Sequence, residues 1–115
     1  MKSLSLQTMK LSFTDFDLPK SLNNALEKLN ISEPTPIQIK SFGPILSGHD
    51  VMGIAQTGTG KTLAYLLPIL KEYKFSKTDQ PKILILVPTR ELVVQVKEVL
   101  EQLTEEINVR VIGVY

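Results

Sequence analysis

Apolar residues recur along this chain with two different periods, and each period predicts one kind of element. Helical spacing covers residues 18–29, 35–46, 63–73 and 90–103, while short apolar runs cover residues 51–55, 83–87 and 109–115. The unbroken apolar run at 83–87 is typical of a strand that is buried on both faces. Strands that alternate with helices predict an α/β fold, in which helices flank a parallel sheet and the chain stops after the third strand.

The start of the second predicted helix carries a strong local signal. Thr35 is a good N-cap, Pro36 suits the first helical position, and Gln38 follows Thr35 by three residues, as in a capping box. Pro68 falls within the third predicted helix and should bend it, because proline cannot donate the helical hydrogen bond.

The eight residues that join the first predicted strand to the third predicted helix are typical of a phosphate-binding loop. In order they are Ala55, Gln56, Thr57, Gly58, Thr59, Gly60, Lys61 and Thr62. The glycines permit a tight turn whose backbone N–H groups meet an anion at the positive end of the next helix. Lys61 would contact the β and γ phosphates, and the Thr62 hydroxyl would bind Mg²⁺. We therefore predict a nucleotide-binding loop, with Lys61 and Thr62 as its catalytic candidates and Thr62 as its metal ligand.

Composition excludes several classes of protein without identifying a partner. The chain has 115 residues, enough for one small domain, and its 13 basic and 12 acidic side chains give a net charge of +1. It has no cysteine, which excludes disulfides and thiolate chemistry. Its longest apolar runs have about five residues, far short of the roughly 20 that span a bilayer, and residues 1–11 lack the apolar core of a secretory signal. We expect a flexible tail at 1–11, no membrane partner and a cytoplasmic location.

Three segments together give the chain a family resemblance. They are the sequence Glu33-Pro34-Thr35-Pro36-Ile37-Gln38 with Phe13 upstream, the loop 55–62, and the sequence Pro88-Thr89-Arg90-Glu91-Leu92 after an apolar strand. In this order they resemble the Q motif, motif I and motif Ia of DEAD-box ATP-dependent RNA helicases. The resemblance covers residues 12–115 and implies the first part of a RecA-like lobe. Ala55, unusual in a general phosphate loop, is the residue that this family carries.

The resemblance implies ATP with Mg²⁺ as cofactors and assigns base recognition to three residues. Gln38 would contact the adenine edge, Thr35 belongs to the same motif, and Phe13 would lie against or near the base. From the residues alone, Gln38 has an equally good role in closing the capping box with Thr35, and both roles are compatible. Phe16 is a nearby aromatic residue that we expect in the core. Asn30 replaces the family's usual glycine and can adopt the same left-handed backbone.

Motif Ia implies that Pro88, Thr89 and Arg90 bind the RNA backbone without reading its sequence. The ordinary alternative is that Thr89 is a helix N-cap beside an exposed arginine. We expect the remaining charged side chains to lie on solvated faces; these include Lys71, Lys74, Lys77, Lys82, Glu98, Glu101, Glu105 and Glu106.

The sequence lacks the acidic pair that would hold Mg²⁺ during hydrolysis, and no second helicase lobe is present. We therefore expect the chain alone to bind nucleotide at most, as a part of an RNA-remodelling helicase. The alternative is a truncated nucleotide-binding module that self-associates through an exposed sheet edge. A P-loop kinase or GTPase is disfavoured, because it would explain neither Gln38 nor residues 88–92.

Overall fold

The computed structural model describes residues 12–55, 60–77 and 80–115. Its regular elements are a 3-10 helix and four α-helices: Phe13–Phe16, then α1 at Lys20–Lys28, α2 at Pro36–Leu46, α3 at Lys61–Glu72 and α4 at Arg90–Leu103. The four predicted helices are therefore confirmed to within two residues at each end. The predicted tail at 1–11 lies outside the described residues, and the domain boundary at residue 12 stays a prediction.

Helix α1 ends in a backbone geometry that explains Asn30. This residue has φ +58°, its N–H donates to Glu27 O at 3.0 Å, and the next N–H, of Ile31, donates to Leu26 O at 3.0 Å. These two bonds form a Schellman motif, which requires a left-handed residue at the position of Asn30. Asn30 therefore adopts the left-handed backbone conformation that glycine would adopt at this position in the family that the sequence resembles.

Helices α2 and α3 pack closely and share one unusual polar contact. Pro68 lies inside α3, fully buried, and cannot donate to the carbonyl oxygen of Ala64 four residues earlier. The buried hydroxyl of Ser41 in α2 lies 3.4 Å from Ala64 O and 2.7 Å from Ile37 O. The single Ser41 proton is shared between the short bond to Ile37 O and the longer, weaker contact to Ala64 O, the carbonyl that lacks its helical donor, and α3 continues through Pro68 to Glu72.

The core lies between the 3-10 helix and the inner faces of all four α-helices. It contains six fully or nearly fully buried leucines and three aromatic rings; the main members are Phe13, Phe16, Leu22, Leu26, Phe42, Leu66, Leu67, Leu70 and Leu103. The side chains of α1 and α3 make the largest contribution, which follows from their helical spacing of leucines.

The predicted parallel sheet is wrong for this structure. Among the described residues no residue is in a β-strand, and no ladder of backbone hydrogen bonds joins residues 51–55, 83–87 and 109–115. Residues 83–87 nevertheless alternate in burial: Ile85 is half-buried, whereas Leu84 and Leu86 are 80% and 83% exposed. Ile112 and Val114 repeat this exposure at 72% and 81%.

The physical reason for the error lies in what an apolar run reports. It predicts that a segment is apolar enough to be buried, but a strand also needs a paired neighbour and cover on its other face. Residues 83–87 and 109–114 line one cavity with α3 and α4, so the described helices cover one side of them. The other side carries the exposed leucine, isoleucine and valine side chains.

Two of the lysines that we predicted on solvated faces make contacts within the protein; Lys71 is half-buried, whereas Lys82 is exposed as predicted. The Lys71 Nζ donates to Phe16 O at 2.9 Å and lies 5.7 Å from the centroid of the Phe42 ring. The Lys82 Nζ donates to Lys74 O at 2.6 Å and lies over the Tyr73 ring. Glu105 and Glu106 form exposed ion pairs with Lys28, which links α1 to the end of α4. The presence of a charged residue in the sequence did not show whether its side chain would contact the protein or only solvent.

Candidate functional site

The N-termini of α2 and α3 meet in space, although 22 residues separate the two groups that touch. Gln38, in the first turn of α2, donates from Nε2 to the carbonyl oxygen of Gly60, the N-cap of α3, at 3.2 Å. Gln38 is 3% exposed, so this contact is shielded from water. The positive ends of two helix dipoles therefore converge on one small region.

The amide of Gln38 is held at both ends. Its Oε1 accepts a hydrogen bond from the Thr35 N–H at 3.0 Å, which is one half of the predicted capping box. Since an N–H must meet an acceptor and a carbonyl must meet a donor, these two partners fix which way the amide points. One N–H and one lone pair of the amide remain for another group. The cap and a ligand contact are therefore compatible in one side chain.

Gly60 forms a close-fitting cradle at the start of α3. Its φ is +84°, a conformation that side chains rarely adopt. A Cβ atom at this position would collide with the Gln38 amide nitrogen and would lie 3.0 Å from Thr35 Oγ1. Only glycine lets the Thr35–Gln38 pair approach the helix end this closely.

The Thr35 hydroxyl is poorly satisfied within this cradle. Its Oγ1 atom is buried and faces the Gln38 N–H in the capping box, but the two do not form a hydrogen bond of good geometry, and no other described residue provides one. A buried hydroxyl without a partner carries a desolvation cost of about 1–3 kcal/mol. Such a group is suited to a partner that arrives with a ligand or from the adjacent loop.

Lys61 and Thr62 form the first turn of α3. The Lys61 side chain is exposed and Thr62 is half-buried, so both remain accessible from the side of Gly60. Burial raises the pKa of the Tyr65 phenol, and a side-chain hydrogen bond with Thr62 lowers it in part. Tyr65 also packs against the core. It therefore stays neutral near pH 7 and holds the Thr62 side chain from one turn away.

Four members of the predicted loop, Gln56, Thr57, Gly58 and Thr59, lie outside the described residues. Ala55, which precedes them, is half-buried. Among the predicted nucleotide-binding residues, the structure therefore brings together Thr35, Gln38 and Gly60, with Lys61 and Thr62 following directly.

Phe13 and Phe16 lie on the same 3-10 helix and are equally buried, each with 6% exposure. Phe16 belongs to the core, as predicted. Phe13 also lines an open groove together with Asn30, Ile31 and Ser32, the residues that lead into the Thr35 region. Its role at a base stays a prediction.

Pro88, Thr89 and Arg90 are all exposed at the start of α4. The Thr89 Oγ1 accepts a hydrogen bond from the Leu92 N–H at 3.2 Å, so Thr89 is the N-cap of this helix. Thr89 is therefore a helix N-cap, as the alternative to RNA binding predicted, and its hydroxyl oxygen already accepts a hydrogen bond within the protein. Arg90 extends into solvent beside this cap.

Sequence reasoning missed two contacts of the site. The bond from Gln38 to Gly60 joins residues far apart in sequence, and no local pattern signals it. The contact between Thr62 and Tyr65 has a signal, since residues three apart share a helix face. Tyr65 both packs against the core and forms a side-chain hydrogen bond with Thr62.

The described residues fit an adenine nucleotide with Mg²⁺. The glycine cradle, the poorly satisfied Thr35 hydroxyl and a helix N-terminus carrying Lys61 provide donors for phosphate. The free positions on the Gln38 amide, one donor and one acceptor, match the N7 and N6 edge of adenine. The Thr62 hydroxyl is a neutral oxygen ligand of the kind that Mg²⁺ takes beside phosphate oxygens.

Comparison with known proteins agrees with the family resemblance of the sequence. The DEAD/DEAH box helicase family model matches residues 35–115. The chain is 47% identical over 100 residues to the ATP-dependent rRNA helicase RRP3 of Vanderwaltozyma polyspora. This alignment covers 86% of this chain and 19% of that protein. It is 48% identical over 101 residues to the ATP-dependent RNA helicase SrmB of Haemophilus influenzae, covering 84% of this chain and 23% of that one.

A solved structure is similar in three dimensions as well. The crystal structure of the RNA-helicase Prp28 from Chaetomium thermophilum bound to ADP aligns with a TM-score of 0.78 at 36% identity, over 87% of this chain and 25% of that chain. The chain belongs to the DEAD/DEAH box helicase family. It spans about a fifth of the length of the two relatives named above. No helix in the described part of the chain is long and apolar enough to cross a membrane.

Proposed function

We propose that this chain forms the adenine-nucleotide-binding part of an ATP-dependent RNA helicase. The observation that carries the proposal is the buried Gln38 amide, which is bonded to Gly60 at the start of the helix that carries Lys61 and Thr62. The Gln38 amide, which is suited to adenine, is thereby bonded directly to the helix N-terminus that is suited to phosphate. The family membership and the ADP-bound relative support the same assignment.

In this proposal, the residues at the N-termini of α2 and α3 bind different parts of the nucleotide. Gln38 holds the base edge, the Gly60 region and the Thr35 hydroxyl face the phosphates, and Lys61 places its charge on them. Thr62, tethered to Tyr65, holds Mg²⁺, which when bound neutralises phosphate charge and helps to orient the phosphates. Loop residues 56–59 complete the phosphate cradle in the proposal and stay a prediction.

RNA binding is the second part of the proposed function. Arg90 would hold a phosphate of the RNA backbone near the N-terminus of α4, where backbone N–H groups also face outward. Pro88 and Thr89 would set the position of that helix end. Such contacts tolerate any sequence, so the parent protein would remodel short RNA duplexes without reading bases. A cytoplasmic location stays a prediction.

A second helicase lobe and the missing acidic residues would be required for hydrolysis. The chain alone is therefore proposed to bind nucleotide without turning it over. The comparisons do not favour the alternative of an independent truncated module, because the chain matches helicases throughout residues 35–115. Self-association of the isolated chain is a separate proposal, and its basis is the exposed apolar face formed by Leu84, Leu86, Ile112 and Val114.

The test is an equilibrium titration of the full-length protein that carries this sequence with ADP and GDP in Mg²⁺. The variant Gln38→Glu keeps an oxygen that can accept from the Thr35 N–H but loses both amide donors, the one bonded to Gly60 O and the one proposed for adenine N7. We expect the wild type to prefer ADP, and we expect Gln38→Glu to lose about tenfold or more in ADP affinity.

The matched control is Gln95→Glu, which makes the same chemical change on an exposed position of α4. It should bind ADP like the wild type. Equal affinity of the wild type for ADP and GDP would refute the adenine assignment, and an unaffected Gln38→Glu variant would remove Gln38 from the site.

A further inference from the structure

Three phenylalanine rings form a continuous stack between the 3-10 helix and α2. The Phe13 and Phe16 centroids are 5.6 Å apart with an edge-to-face angle of 80°. The Phe16 and Phe42 rings are parallel to within 8°, with centroids 4.2 Å apart. Both arrangements are favourable for aromatic pairs beyond the area that they bury. The position of Phe13 is therefore tied to α2 through Phe16.

Lys71 closes this stack from α3. Its Nζ donates to the carbonyl oxygen of Phe16 at 2.9 Å, and the same ammonium lies 5.7 Å from the centroid of the Phe42 ring. One cation thus holds the end of the 3-10 helix by a charge-assisted hydrogen bond and the stacked ring by a cation–π contact. The side chain is half-buried, which strengthens both interactions relative to a fully exposed lysine.

The 3-10 helix needs such support because it is short. It has four residues, and a helix of this length is not stable without contacts from the rest of the protein. Its N-terminus is held by the Asp15 carboxylate, which accepts from the Ser12 N–H at 2.8 Å. Its C-terminus is held by Lys71. The orientation of the Phe13 ring therefore depends on a residue of α3.

We propose that Lys71 is a positioning residue for base binding: through Phe16 it fixes the 3-10 helix and the ring of Phe13, and it couples them to α3. This inference rests on the proposed function, because it assumes that Phe13 lies at the adenine base. Helix α3 also begins at Lys61, so one helix carries the proposed phosphate contact and, through Lys71, supports the 3-10 helix that carries Phe13. Lys71 touches neither the base nor the phosphates.

The test compares the binding of ADP with that of inorganic pyrophosphate, which engages the phosphate region alone. Both are titrated into the full-length protein in Mg²⁺. The variant Lys71→Met keeps the alkyl stem and loses the donor and the charge. We expect its ADP affinity to fall roughly five- to tenfold, while its pyrophosphate affinity stays within about twofold of the wild type.

Three further variants make the readout specific. Lys71→Arg keeps a cationic donor and should recover most of the ADP affinity. Phe16→Leu breaks the stack at its centre and should reproduce the selective loss. Lys20→Met, on an exposed position of α1, should leave both affinities unchanged.

A general loss of folding would lower both affinities together, because it reduces the fraction of competent protein. Equal losses for ADP and pyrophosphate in Lys71→Met, or no loss for either, would overturn the proposal. The proposed function fails in a different way: the wild type itself would then bind ADP no better than GDP or pyrophosphate, and the positioning role would fall with it.

Discussion

The side-chain amide of Gln38 donates a hydrogen bond to the carbonyl oxygen of Gly60 at 3.2 Å, and this bond joins the first turns of two helices. Gly60 has the left-handed backbone that permits the approach, and Thr35 holds the other end of the amide. A ligand that engages the amide therefore acts on the start of α3 as well. The structure gives a direct physical connection between the base-binding and phosphate-binding ends of the proposed site.

The first prediction concerns Gly60→Ala. The added methyl group would collide with the Gln38 amide and would be held at a φ of +84°, which costs about 1–2 kcal/mol for an ordinary residue. We expect a loss of stability of at least that size and a loss of ADP binding of at least about tenfold. Gly43→Ala is the control, because nothing lies within 4 Å of its added Cβ and it is inside α2.

Gly43→Ala should be neutral or should stabilise the protein by about 0.5–1 kcal/mol, as expected for glycine replacement in a helix. Urea unfolding gives the stability changes, and calorimetric titration with ADP gives the affinities. If the two variants behaved alike, the close approach of Gln38 to Gly60 would have no energetic role.

The second prediction concerns the exposed Lys61 at the start of α3. Lys61→Ala in the full-length protein should remove one charge-assisted contact to phosphate, at a cost of roughly 1.5–3 kcal/mol, or about ten- to a hundredfold in ADP affinity. Unfolding stability should change little, because the side chain is exposed. Lys77→Ala, also exposed, is the control, and unchanged affinity in Lys61→Ala would exclude the phosphate role.

The third prediction separates RNA binding from helix capping at the start of α4. Arg90→Ala should weaken binding to single-stranded RNAs of different sequence by a similar factor and should reduce the salt dependence of binding by about one phosphate contact. Thr89→Ala should instead lower unfolding stability by about 1 kcal/mol, because Thr89 Oγ1 caps the helix.

Fluorescence anisotropy over a range of salt concentrations measures the RNA effect. Arg110→Ala provides the control, since this arginine is also exposed but lies outside motif Ia. A loss that depended on RNA sequence, or an equal loss in Arg110→Ala, would contradict the backbone-binding role of Arg90.

Local sequence signals were sufficient for the four α-helices and for the capping box at Thr35 and Gln38. The capping box at Thr35 and Gln38 predicted the start of α2, and the left-handed backbone of Asn30 was predicted because asparagine stands where the resembling family usually has glycine. These features depend on residues within one or two turns of each other. A short stretch of sequence is therefore enough to predict them.

Features that depend on distant partners were not predictable in the same way. The parallel sheet failed because residues 83–87 need paired strands and cover on both faces, which apolar content does not guarantee. Lys71 was assigned to solvent, because nothing in its own helix indicates that the Phe16 carbonyl oxygen lies beside it. The tertiary arrangement determined both outcomes.

The fourth prediction concerns the exposed apolar face of the isolated chain. Leu84 and Leu86 are 80% and 83% exposed, and burying such side chains is favourable by about 1.5–3 kcal/mol each. The isolated chain should therefore tend to self-associate as its concentration rises, and the double variant Leu84→Glu with Leu86→Glu should shift it toward monomer. Size-exclusion chromatography with light scattering measures the mass of each species.

The control for that experiment is Gln95→Glu with Gln102→Glu, which adds the same charge to exposed helical positions. It should associate as the wild type does. A monomeric wild-type chain would contradict the proposal, as would association that the leucine variants leave unchanged.

The fifth prediction concerns the polar contact that Pro68 imposes on the core. Ser41→Ala should leave Ala64 O without a donor and should cost about 1–3 kcal/mol of unfolding stability, whereas Ser47→Ala on the exposed end of α2 should cost much less. Pro68→Ala restores a backbone N–H that can donate to Ala64 O, so Ser41→Ala should cost less in that background. A double-mutant cycle by urea unfolding measures this coupling between Ser41 and Pro68. Equal costs of Ser41→Ala in both backgrounds would show that the hydroxyl serves only its own helix, through Ile37 O, and that α3 tolerates the free carbonyl unaided.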